Sequence, residues 1–164
     1  MKHKIILFLA LCLGGGAVRA QNITPAYTIM GKDSTCQVFV YSPSAREGLH
    51  LAFLGDDDQW HEVGQLCASD YGPWGAEKRM FDPYVTKAAD GTWRAVWSVN
   101  DSAPVFAAAY SDDLITWRPQ DYPLVREKGV RSPVVYQMGD GSFDIYLKTS
   151  KGKRYVHATE DFRH

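Results

Sequence analysis

Short runs of alternating apolar and polar residues, broken at regular intervals by turn residues, set the character of this chain. From Lys78 to Trp117 the pattern predicts four strands in succession: Pro83 to Lys87, Trp93 to Val99, Val105 to Tyr110, and a last one beginning at Thr116. Ala89-Asp90-Gly91, Asn100 to Pro104 and Ser111-Asp112-Asp113 punctuate them. A four-stranded antiparallel meander is the unit of a propeller blade, and no helical spacing competes with it.

The pattern repeats. Before this stretch, Ala26 to Met30, Gln37 to Tyr41 and Leu49 to Leu54 read as strands of a first module. After it, Ser132 to Gln137, Phe143 to Lys148 and Tyr155 to Ala158 match the second module strand for strand. Aligned on the third-strand exit, LAFLGDDDQW, AAYSDDLITW and VHATEDFRH bring Asp56, Asp113 and Asp161 together, 57 and 48 residues apart. Trp60 and Trp117 follow four positions later, whereas the third copy reaches only His164. The expectation is all-β: an incomplete β-propeller of about two and a half blades, the front part of a longer protein or a truncated product.

Residues 1–20 depart from this pattern. Lys2 and Lys4, an apolar run from Ile5 to Leu13 and Val18-Arg19-Ala20 read as a secretory signal peptide, too short to span a membrane as a mature helix. Residues 21–164 then form the mature domain, exported to the periplasm or the medium. Cys12 offers a lipoprotein alternative, but bulky Leu11 before it and the short apolar run favour soluble export. Of the two remaining cysteines, Cys36 and Cys67 either pair or stay reduced. A net charge of −1 gives no basic stripe, so nucleic acid is not an expected partner. Scattered histidines and the absence of a CxxC give no metal site, and no cofactor is expected.

The segment from Leu66 to Met80 is the longest irregular one and leads into Phe81-Asp82-Pro83. Tyr71 and Trp74, set between glycines, are candidates for a sugar-stacking platform, or alternatively loop anchors. Trp97 and Asn100, where a strand leaves for its loop, are further substrate-binding candidates, although Trp97 reads first as core and Asn100 as a polar contact only if that loop faces the sugar. The thrice-repeated aspartates read as architecture, because a residue used once per blade serves the blade's own turn.

QVFVYSPSAREGLHLAFLGDDDQW, RMFDPYVTKAADGTWRAVWSV and AAAYSDDLITW together resemble the opening of family 43 glycoside hydrolases, of the arabinosidase-like group. The resemblance covers nearly all of the mature chain. It implies a five-bladed propeller, a polysaccharide or oligosaccharide substrate containing arabinose or xylose, and hydrolysis with inversion by an α-L-arabinofuranosidase or β-xylosidase type of enzyme. Three carboxylates act in that family: a general base in a DP motif, a pKa-tuning aspartate and a glutamate acid. Only the base carries over, onto Asp82; the other two would lie in later blades, and Ser132-Pro133 matches a strand without a catalytic carboxylate. Phe81 stands where the family most often has Arg or another polar residue. The competing reading is a non-catalytic glycan-binding propeller or inactive relative.

Overall fold

The computed structural model describes residues 27–30, 35–69, 79–100 and 102–164. Their eleven strands form three antiparallel sheets, each a simple meander, and the described residues include no helix. The first sheet holds β1 (Tyr27–Met30), β2 (Thr35–Tyr41), β3 (Leu49–Leu54) and β4 (Trp60–Cys67). The second holds β5 (Phe81–Lys87), β6 (Trp93–Ser98), β7 (Phe106–Ser111) and β8 (Arg118–Asp121). The third holds β9 (Arg131–Gln137), β10 (Phe143–Lys148) and β11 (Arg154–Thr159). The predicted strands therefore exist, with ends moved by one or two residues. The exposed edge strand β4 is an addition, in a stretch whose pattern is too polar to announce it.

Side-chain alternation stacks the sheets. Val85, Ala95, Trp97, Ala107 and Ala109 of the second sheet point one way and join Val38, Val40, Leu49 and Leu51 of the first in one core. Tyr84, Val96, Phe106 and Ala108 point the other way and join Val135, Phe143, Ile145 and Leu147 of the third. The middle sheet is thus buried on both faces, which explains why AVW in β6 and AAA in β7 are apolar at consecutive positions.

The loops repeat as closely as the strands. In the β5–β6 and β9–β10 hairpins, Asp90 and Asp140 accept a backbone N–H two residues on, from Thr92 (2.8 Å) and Ser142 (3.0 Å), and the intervening Gly91 and Gly141 have positive φ. The β3–β4 hairpin is built the same way, but its aspartate is Asp57, which accepts from Gln59 N–H at 3.1 Å, with Asp58 in the left-handed region. The alignment of Asp56 with Asp113 and Asp161 is therefore corrected. GDDDQ closes as a tight Gly55–Gln59 hairpin, and Asp56 is an exposed residue within it.

Asp113 and Asp161 belong to a different turn. Asp113 Oδ1 accepts from Ile115 N–H (2.9 Å) and Thr116 N–H (2.6 Å), and Asp161 Oδ1 from Arg163 N–H (2.8 Å) and His164 N–H (3.3 Å). In each, the next residue, Leu114 or Phe162, takes a positive φ of 68° or 61° and is fully buried between sheets. The turn's work is to aim that side chain inward: Leu114 joins the first core and Phe162 the second. These two aspartates are architectural, as the repetition suggested.

Cys36 and Cys67 form no disulfide.

Candidate active site

β5 and β9, the first strands of their sheets, pack against each other. Each begins with the same irregularity. Opposite β6, Phe81 pairs with Ser98 and Tyr84 with Val96, so Asp82 and Pro83 together oppose Trp97 alone. Opposite β10, Arg131 pairs with Lys148 and Val134 with Tyr146, so Ser132 and Pro133 oppose Leu147. These are β-bulges on edge strands, positions where proline, lacking an N–H, costs no ladder bond. Asp82 and Ser132 both have positive φ, 49° and 51°. A left-handed non-glycine residue directly before proline is sterically disfavoured, so neighbouring contacts must hold it in place.

Those contacts run across the sheets. Asp82 Oδ2 accepts hydrogen bonds from the Ser132 N–H (3.2 Å) and the Ser132 Oγ–H (3.0 Å), a link between residues fifty positions apart. One residue earlier, the Arg131 guanidinium lies 4.2 Å from the centre of the Phe81 ring, a cation–π stack between the matching positions of the two strands. A cation thus does stand beside the residue preceding Asp82, supplied by the next sheet rather than by position 81. The segment leading in is fixed by Met80 N–H donating to Ala45 O (2.8 Å) and Arg79 N–H to Val99 O (3.1 Å).

Of the other candidates, Trp97 is 1% exposed and packed in the first core, directly opposite the Asp82 bulge. It takes the core position that was its first reading, and its indole backs the bulge from within. Asn100 uses its Oδ1 to accept from Ser102 N–H (2.9 Å), Ser102 Oγ–H (3.2 Å) and Ala103 N–H (2.7 Å), holding its own loop. Tyr71 and Trp74 lie outside the described residues. Ser132 and Arg131 were not singled out as site residues; the matching strings FDPYV and RSPVV, at the same place in successive sheets, were the signal that could have found them.

Beyond Ser132, on the face of the third sheet turned away from the second, lies an open hollow of about 430 Å³ lined by Val134, Tyr136, Tyr146, Lys148 and Arg154 among others. The Tyr136 and Tyr146 rings meet edge to face with centroids 5.2 Å apart. Among the described residues no cluster of His, Cys, Asp and Glu has the makings of a metal site.

This architecture, blade-like meanders stacked face to face, with bulged and mutually packed first strands in the second and third, is that of a partial β-propeller. The solved structures it resembles are consistent on that point. A family 43 β-1,3-galactosidase superposes with a TM-score of 0.60 at 13% identity, over 86% of this chain and 33% of its own. An exo-β-1,3-galactanase from Clostridium thermocellum gives 0.56 at 15%, over 85% of this chain and 35% of its own. The α-L-arabinofuranosidase Arb93A from Fusarium graminearum gives 0.56 at 14%, over 89% and 47%. The chain spans between about a third and a half of the length of these proteins. No protein-family model matches the sequence, and no curated protein matches it significantly.

Proposed function

We propose that these residues are the front part of an exported, inverting glycoside hydrolase acting on plant polysaccharides that contain arabinose or xylose, with Asp82 as general base. The observation that carries this reading is the Asp82 bulge: a carboxylate in a disfavoured backbone conformation, anchored across the sheets by Ser132 at their convergent edge. Strain kept in place by surrounding contacts is a mark of functional positions. In inverting hydrolysis the base takes a proton from water attacking the sugar carbon opposite the leaving group, and an acid about 6.5–9.5 Å away protonates the departing oxygen. Ser132 donates to one carboxylate oxygen, Oδ2, and so holds the carboxylate's orientation, leaving Oδ1 for the water. The acid is assigned to blades beyond these three. The family resemblance, the glycosidase neighbours and the short length relative to them all support that division, and the basic, apolar and small-residue succession of residues 1–20 supports export.

The test is hydrolysis of arabinoxylan and aryl α-L-arabinofuranosides, with the product anomer read by proton NMR. A product of the longer reading frame should release the inverted anomer. Asp82→Asn should cut its turnover by roughly 10²- to 10⁴-fold, and the 164-residue chain alone should show none. Turnover indifferent to Asp82→Asn overturns the assignment.

A second reading, a glycan-binding propeller without catalysis, draws on Phe81 and on Oδ2 being already engaged by Ser132. Saturable arabinoxylan binding with no hydrolysis by the longer product would establish it.

A further inference from the structure

The net charge of −1 hides a separation of charge along the strands. Because each sheet is a meander, its loops fall alternately at two ends. Asp82, Ser132, the loop before β9 and the loop between β10 and β11 lie at one end. The hairpins of Asp90 and Asp140 and the turns of Asp113 and Asp161 lie at the other, and there the fold itself accounts for the acid, since each carboxylate accepts backbone N–H groups.

The end that carries Asp82 is basic, and nothing in the fold accounts for that. Lys148 to Arg154, KTSKGKR, holds four cations in seven residues. Arg126 and Lys128 stand in the loop before β9, and Lys153 Nζ reaches Glu127 Oε1 at 3.8 Å, joining the two loops. Glu127 is the one acidic residue in 122–132 and 148–154. Lys128, Lys148, Lys151 and Arg154 are exposed and have no ion-pair partner among the described residues. Like charges crowded in this way repel one another and attract polyanions.

The basic edge begins at the candidate site. Asp82 is bound by Ser132; Arg131, the next residue back, pairs with Lys148 across β9 and β10, and Lys148 with Arg154 across β10 and β11. Adjacent strands lie about 4.8 Å apart, so these cations step away from Asp82 strand by strand, at a spacing comparable with the repeat of a sugar chain. Asp144 sits four residues back along β10, roughly 13 Å toward the opposite end. The edge consists of loop ends rather than a sheet face: a further sheet packed on the third would cover that sheet's face and leave the 149–153 loop exposed beside the Asp82 bulge.

We propose that the glycan brought to Asp82 carries carboxylates, its uronic acid residues lying along the Lys148–Arg154 edge while the neutral sugar to be cleaved sits at Asp82. This rests on Asp82 being a glycosidase base and narrows its substrate to acidic polysaccharides, such as xylans bearing glucuronic acid. Ammonium and guanidinium groups bind a carboxylate through charge-assisted hydrogen bonds, whereas an uncharged chain gives them nothing to neutralise.

Calorimetric titration of the 164-residue chain with glucuronoarabinoxylan, and with the same polymer after its carboxyl groups are reduced to alcohols, tests this. The native polymer should bind roughly tenfold tighter at about 50 mM salt, and the advantage should shrink at about 0.5 M. Lys151→Gln combined with Lys153→Gln should weaken binding of the native polymer roughly five- to tenfold and leave the reduced one unchanged. Arg163→Gln, the same change of charge at the opposite end, should alter neither. All three positions are exposed, and thermal unfolding checks that the variants are folded; Lys128→Gln replaces the pair if they are not. Equal affinity for the two polymers overturns the proposal and leaves the glycosidase reading standing. Binding to neither polymer also overturns it, and the glycosidase reading is then judged separately, by hydrolysis with and without Asp82→Asn in the longer product. Dextran sulfate or an oligodeoxynucleotide bound as tightly as the native polymer overturns it too, giving the edge to polyanions at large.

Discussion

The middle sheet and the outer sheets are built from the same meander, yet they use their side chains differently. In β6 and β7 of the middle sheet nearly every position is buried, because one parity packs on the first sheet and the other on the third. In β10 and β11 burial alternates strictly, and in β4 it nearly vanishes. The difference teaches that a blade's character here is set by how many neighbours it has. Its own strands specify only the meander; what they bury is decided by the sheets on either side.

That contrast is open to direct attack. Phe162 and Trp97 sit at the two interfaces of the middle sheet and are essentially inaccessible. Replacing either with Ala should cost about 3–5 kcal/mol, read by urea unfolding. Arg94 makes Phe162 the more sensitive of the pair, since its guanidinium lies 5.3 Å over that ring and 5.7 Å over Tyr110, coupling the middle sheet to the turn of the third. Tyr136→Ala on an open face, which loses only the edge-to-face contact with Tyr146, should cost about 1 kcal/mol or less. If it matched the core substitutions, the division into covered and open faces would be wrong.

The next effect is smaller and concerns the join at the convergent edge. Ser132→Ala removes one donor to the Asp82 carboxylate and leaves the other, for a loss of about 1 kcal/mol. Ser132→Gly removes the same donor but relieves a positive φ, so it should come out closer to neutral. A double-mutant cycle of Ser132→Ala with Asp82→Asn should give a coupling of roughly 0.5–1 kcal/mol. Zero coupling would mean that the two bulges are held independently, by their own sheets.

The strands and their order were legible because period-two alternation and Asp-Gly turns are local signals: β10 was placed at Phe143–Lys148 and found there. So was the structural nature of Asp113 and Asp161, which their repetition gave away. Asp56 was misplaced because three consecutive aspartates offer three registers, and only the Gly55–Gln59 closure selects Asp57. Trp97 reads as core from its own strand and is core, but which sheet covers it depends on positions of the first sheet, distant in sequence. Ser132 escaped because its partner is fifty residues away: the match of RSPVV to FDPYV marks the shared position, but only the packing of β9 on β5 brings the two side chains together.

The hairpin and turn aspartates yield the smallest effect per site, and pH exposes it. Hydrogen bonds from backbone N–H groups hold Asp113 well below the ordinary carboxylate value of 3.8, down to about 2, chiefly through Thr116. Asp161 is lowered mainly by Arg163 N–H, Asp90 by Thr92 N–H, Asp57 by His61 and Asp140 by Ser142. In each case the folded chain holds its proton less tightly than the unfolded chain. The contribution is therefore complete above about 4 and drains away as the pH falls toward 2, the unfolded form binding protons first. Thermal unfolding should show the melting temperature flat from neutral pH to about 5 and falling below 4. Asp113→Ala should melt lower than the parent at neutral pH, with the gap closing by pH 2, where the parent's carboxylate is itself half protonated. Asp56→Ala serves as the control, because its side chain lies in solvent one residue away from the one that closes the hairpin. An Asp56→Ala variant that melted as low as Asp57→Ala would return the repeat to its sequence alignment.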